Sequence, residues 1–67
     1  MTFAKRLKEL RLKQGLSIYD LAKQIGCSHM AISRWENGVS APNIYNAWDL
    51  AVFFGVSVDY LIGRKGE

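Results

Sequence analysis

The sequence predicts an all-α fold of five short helices, and three features predict it. Glycines at positions 15, 26, 38, 55 and 63 cut the 67-residue chain into short segments. Apolar residues within each segment recur at close to helical spacing. No stretch shows the strict alternation of a strand. Helices this short bury their apolar stripes only by packing around one shared core. Residues 1–67 are therefore read as a single domain, near the lower size at which a core holds a fold without staples.

Each helix has its own start and stop. In helix one, Phe3, Leu7 and Leu10 form a buried stripe with Lys5, Arg6, Lys8 and Glu9 mostly outside it, and Gly15 ends it. Ser17 with Asp20 three residues on is a capping-box signature opening helix two, whose stripe is Leu21, Ala22 and Ile25 and which Gly26 closes. Ser28 caps helix three, which turns Ala31, Ile32 and Trp35 inward and stops at Asn37-Gly38. After the linker Val39 to Pro42, Asn43 caps helix four, Ile44 to Phe54. Gly55-Val56-Ser57 then breaks the chain before helix five, Val58 to Ile62.

Helix four is more apolar than its core face needs. At about 100° per residue, Ile44, Ala47, Leu50, Ala51 and Phe54 define the inward face, with Trp48 at its border. Tyr45, Asp49, Val52 and Phe53 point away. Tyr45, Val52 and Phe53, joined by Tyr60 and Ile62 of helix five, are therefore candidates for a self-association or partner surface. The alternative is that helix five or the tail folds back over them.

Composition narrows the function. A lone cysteine, Cys27, permits no intrachain disulfide, and with the lone histidine, His29, it cannot supply four ligands to a structural zinc. Neither has a carboxylate nearby in sequence to orient an imidazole for nucleophilic catalysis, so no enzyme and no cofactor is implied. Cys27 reads as a small half-buried hydrophobe. No apolar run is long enough for a membrane span or a signal-peptide core, and the reading is a cytoplasmic protein with no membrane or small-molecule partner. Charge is lopsided. Residues 1–34 carry +5, residues 35–63 carry −3 with no Lys or Arg, and Arg64, Lys65 and Glu67 add +1. A basic first half suits a polyanion, and a cation-free second half does not.

Between helices two and three, Ala22, Gly26 and Ile32 stand at i, i+4 and i+10. Ala22 is small enough to let the next helix cross close by, Gly26 can take the positive φ of a tight turn, and Ile32 pins helix three into the core. Two helices locked this way leave the outer face of the second free for a major groove.

Three ordered blocks carry a resemblance that covers Leu7 to Gly63. Gly15-Leu16-Ser17 with Leu21-Ala22, Ile32-Ser33-Arg34-Trp35-Glu36-Asn37-Gly38, and Leu50-Ala51 with Gly55-Val56-Ser57-Val58-Asp59-Tyr60-Leu61 resemble the Cro/phage-repressor-like (XRE-type) helix-turn-helix family. The resemblance implies a lambda-repressor-like five-helix domain with the helix-turn-helix at helices two and three. It implies a sequence-specific transcriptional regulator that represses or activates, with repression the preferred reading, and that binds operator DNA usually as a homodimer. Residues 28–37 would be the recognition helix, with His29, Met30, Ser33 and Arg34 at its groove-facing positions. Their chemistry suits the role. Arg34 can bond guanine O6 and N7, Met30 can meet a thymine methyl, and His29 can bond a base edge or a phosphate.

Phosphate contacts are expected from the amides starting helices two and three, aided by Ser17, Ser28, Asn37 and Lys23, with Tyr19 as a further hydroxyl. Two positions depart from the family pattern. Ile18 stands where glutamine is common, and Val39-Ser40-Ala41-Pro42 stands where Lys or Arg is common, which removes ionic contacts and predicts a gentle salt dependence. The resemblance also implies an ion pair between Arg11 and Glu36 that sets the angle of helix three. The alternative function on the same fold is an antitoxin-type or adaptor interaction module with weak DNA binding.

Overall fold

In the computed structural model, which describes residues 2–63, five helices follow one another: α1 Thr2–Lys13, α2 Ile18–Ile25, α3 His29–Glu36, α4 Ile44–Phe54 and α5 Val58–Ile62. No strand occurs among the described residues. Met1 and the charged tail Arg64 to Glu67 lie outside them.

Local chemistry fixes the boundaries. Ser17, Ser28, Asn43 and Ser57 each take extended backbone angles and accept the N3 amide of the helix they open, from Asp20, Ala31, Asn46 and Tyr60. At Ser17 the box is reciprocal, because the Asp20 carboxylate accepts the Ser17 amide at 3.2 Å. Gly26 ends α2 at φ +74, and the next amide, of Cys27, reaches back to the Ala22 carbonyl at 3.0 Å. A Cβ on Gly26 would meet nothing within 4 Å, so glycine is needed there for its backbone angle and not for space.

Each helix gives one fully buried aliphatic side chain to the centre: Leu7, Leu21, Ile32, Leu50 and Leu61. Around them the principal contacts close a ring, α1 on α3, α3 on α2, α2 on α4, α4 on α5 and α5 on α1. Phe3, Ala22, Trp35 and Ala51 complete the buried cluster. Ala22 is buried in the core, and α2 and α3 pack on each other. No helix among the described residues is long and apolar enough to cross a membrane.

The phase of α4 differs from the sequence reading at three residues. Ile44, expected inside, is 65% exposed; Trp48, expected at the border, is 62% exposed. Phe53, expected outside, is half-buried against the core and meets Phe54 edge-to-face at 5.0 Å. The inward arc is centred on Leu50, Ala47 and Phe54 and extends towards Phe53, which turns Trp48 into the same outward line as Val52. α4 must serve both α5 and α2, and packing on two neighbours widens its buried arc on the Phe53 side.

Candidate nucleic-acid interface

The Gly26 turn brings the starts of α2 and α3 into one region. The first amides of each helix lack intrahelical acceptors, as at every helix start. Ser17 Oγ and Ser28 Oγ accept from Asp20 and Ala31 at 3.0 and 3.1 Å; the Ser28 hydroxyl proton remains for an external acceptor, whereas the Ser17 hydroxyl also bonds the Asp20 carboxylate. The two starts differ in charge. Asp20 puts an anion into the first turn of α2, whereas the first turn of α3 contains no acidic residue.

α3 divides cleanly. Ile32 and Trp35 are buried, and Ala31 packs partly against the core. His29, Met30, Ser33, Arg34 and Asn37 fall within about 140° on the other side. Of these, His29, Met30, Arg34 and Asn37 are exposed and Ser33 is half-buried. Among the described residues Arg34 has no ion-pair partner. Asn37 is less free, since its Nδ2 donates to Ser33 Oγ at 3.3 Å along the same helix. Tyr19 and Lys23 are exposed on α2.

One contact here was not visible in the sequence. The Tyr19 ring lies against the His29 imidazole with centroids 4.5 Å apart and planes tilted by 34°. Another joins the two ends of the domain. The Arg6 guanidinium sits over the Tyr60 ring at 4.1 Å and donates to the Tyr60 carbonyl, tying α1 to α5. The first pair crosses one turn and the second spans the domain, and no spacing rule signals either.

Arg11 and Glu36 form an ion pair that joins α1 to the C-terminal end of α3. Arg11 is 8% exposed; its Nε donates to Glu36 Oε2 at 2.6 Å, Nη2 to Oε1 at 2.9 Å and Nη1 to the Leu16 carbonyl at 2.8 Å. The hydrogen bond to Glu36 holds the Arg11 guanidinium above its ordinary value against the opposing effect of burial. Cys27 lies half-buried at the turn, and burial pushes its thiol up, away from the reactive thiolate.

The residues expected to form an association surface do not share one. Tyr45 and Val52 are 78% and 65% exposed on α4 and are neighboured there by Trp48 and Ile44. Phe53 belongs to the core side, and Tyr60 is half-buried beneath Arg6. Ile62, 40% exposed, borders a shallow apolar depression with Phe3, Pro42, Ile44 and Val58.

Comparison with known proteins agrees with this architecture. Residues 7–61 match the family model HTH_3, described as helix-turn-helix. The chain is 37% identical over 65 residues to the HTH-type transcriptional activator BcrR of Enterococcus faecalis, an alignment covering 97% of this chain and 32% of that protein. It is likewise 37% identical over 62 residues to Repressor protein C2 of Salmonella phage P22, covering 92% of this chain and 26% of that one. The chain thus spans about a third and about a quarter of these two relatives. The P22 c2 repressor solved in complex with synthetic operator 9T superposes with a TM-score of 0.87 at 33% identity, covering 91% of this chain and 92% of that one. A family model that takes in α2, α3 and α4 whole and most of α1 and α5, and two named regulators aligned across nearly all of the sequence, establish that this chain belongs to the Cro/phage-repressor-like helix-turn-helix family.

Proposed function

We propose that this domain binds double-stranded DNA sequence-specifically, with α3 in the major groove, and that it regulates transcription. The observation that carries the reading is the outer face of α3, where His29, Met30 and Arg34 stand exposed opposite Ile32 and Trp35. Arg34 reads a guanine through two donors, Met30 meets a thymine methyl, and His29 and Ser33 bond neighbouring edges. Ser17, Ser28, Lys23 and Asn37 hold the phosphates on either side, which fixes register without reading sequence. The operator-bound P22 c2 repressor supports this reading by its likeness to nearly the whole domain. The interaction-module alternative finds no support in the relatives, which are named as an activator and a repressor.

We further infer that operator binding is homodimeric and that the outward face of α4 is where two copies meet. Two faces built from Ile44, Tyr45, Trp48 and Val52 can be apposed without bringing cations together, because α4 contains no Lys or Arg. Selection of bound duplexes from a random-sequence pool tests the whole reading. The expected product is an inverted repeat with half-site centres about 10 bp apart. A pool that yields no enriched motif at low salt overturns DNA reading, and a single unpaired half-site as the best ligand overturns the dimer.

A further inference from the structure

Tyr19 is the second residue of α2 and His29 the first of α3, and both are exposed. Two exposed rings at the surface ordinarily rotate independently. Here they lie 4.5 Å apart at a tilt of 34°, within the range in which aromatic pairs attract beyond simple burial. The pair spans the turn and stands at the two helix starts assigned above to the DNA phosphates. At that separation and tilt the Tyr19 ring packs against the imidazole and restricts its rotation, which leaves the edge of the His29 ring, and not the packed face, for a ligand. Base pairs are recognised in the groove through in-plane donors and acceptors, and an edge-on imidazole is the orientation that reads them.

We propose that Tyr19 is a positioning residue for specificity. Its ring is a platform that holds His29 edge-on to the groove, so that discrimination at one base pair depends on a residue that does not touch that pair. The proposal rests on the DNA-reading role given above. It assigns the Tyr19 ring, and not its hydroxyl, as the working group. The gain is preorganisation: a side chain already fixed in its bound rotamer need not be ordered when DNA arrives.

The test uses the whole chain, the best duplex from the random-pool selection and a scrambled duplex of the same composition. Affinities are measured by fluorescence anisotropy for the wild type, Tyr19→Phe, Tyr19→Ala, His29→Ala and the double Ala variant. Tyr19→Ala is expected to weaken the selected duplex by roughly three- to tenfold, the size of one ordered side chain, and to leave the scrambled duplex unchanged. Tyr19→Phe keeps the ring and stays near wild type. In the His29→Ala background, Tyr19→Ala costs nothing further, because the two act as one unit. In the free protein, the His29 ring proton resonances shift in Tyr19→Ala and hold in Tyr19→Phe.

A Tyr19→Phe loss as large as that of Tyr19→Ala makes the hydroxyl the working group and overturns the platform. So does wild-type behaviour of Tyr19→Ala on the selected duplex, or losses that add in the double variant. A wild type that enriches no motif overturns the DNA-reading role and the platform with it, even where the His29 resonances still register the stack.

Discussion

The Arg11 guanidinium grips the Glu36 carboxylate with two donors, at 2.6 and 2.9 Å, while its third reaches the Leu16 carbonyl at 2.8 Å. One side chain of α1 thereby fixes the C-terminal end of α3 and the segment that leads into α2. The core contacts of Ile32 and Trp35 set how deeply α3 lies, and this pair sets its tilt. A two-pronged guanidinium–carboxylate contact defines direction as well as distance, which a single apolar contact does not.

Removing one partner is therefore costly. Glu36→Ala leaves a nearly buried guanidinium with only the Leu16 carbonyl and is expected to lower unfolding free energy by about 3 kcal/mol, at the low end for a broken buried pair. Urea denaturation at neutral pH measures it. Replacing both partners with apolar residues of similar volume is expected to recover most of that loss, since the desolvation cost of both charges disappears. A loss under about 1 kcal/mol for Glu36→Ala would mean that water replaces the carboxylate.

The helix boundaries were legible because capping is local chemistry. Ser17, Ser28, Asn43 and Ser57 each bind an amide three residues away, and Gly26 and Gly55 end α2 and α4 in left-handed backbone. The exposed face of α3 was legible for a similar reason, since its polar and apolar residues separate by side. α4 was harder. Ile44-Tyr45-Asn46-Ala47-Trp48-Asp49-Leu50-Ala51-Val52-Phe53-Phe54 has too little polar contrast to fix its rotation, so Ile44, Trp48 and Phe53 were misplaced. The contacts of Tyr19 with His29 and of Arg6 with Tyr60 depend on how helices pack, which spacing along the chain does not encode.

Acid should weaken the start of α2. The Ser17 amide, then the Ser17 hydroxyl, holds the Asp20 carboxylate below its ordinary value of 3.8, because both contacts favour the ionised form. The unfolded chain binds the proton more readily, so this contribution is complete above about pH 4 and fades as pH falls through the folded-state value. Denaturation midpoints of the wild type and Asp20→Asn, compared between about pH 6 and pH 3, check the sign. The gap between them should narrow on the acid side. A constant gap would show that Asp20 acts only by packing.

Arg34 and Lys23 should separate base reading from phosphate holding. Arg34→Ala is expected to cost about 1–3 kcal/mol on the selected duplex and to relax its sequence preference. Lys23→Ala should weaken all duplexes alike and lower the salt slope by about one. Anisotropy titrations at several salt concentrations on selected and scrambled DNA distinguish them. Equal losses on both duplexes for Arg34→Ala would make it a phosphate contact.

Self-association through α4 should be weak in solution and strong on DNA. Ile44, Tyr45, Trp48 and Val52 are four of the large apolar residues that remain exposed, and they stand on one helix whose only charge is Asp49. Large side chains bury on the order of 150–250 Å² each, and Ile44 and Val52 fall at or below the low end. Four of them, already part-covered, therefore give roughly 500 Å² per copy, short of the roughly 800 Å² per partner of a standard stable interface. A face of that size does not hold two domains together at micromolar concentration. Two domains on adjacent half-sites are another matter, because DNA raises their effective concentration and a small interface then suffices. The wild type should therefore sediment as a monomer when dilute, begin to dimerise when concentrated, and bind an inverted repeat cooperatively. Tyr45→Lys combined with Val52→Lys should stay monomeric throughout and lose the cooperativity while keeping its affinity for a single half-site. Wild-type cooperativity in that double variant, with a wild type that is monomeric at every concentration, would mean that the copies meet through some other surface.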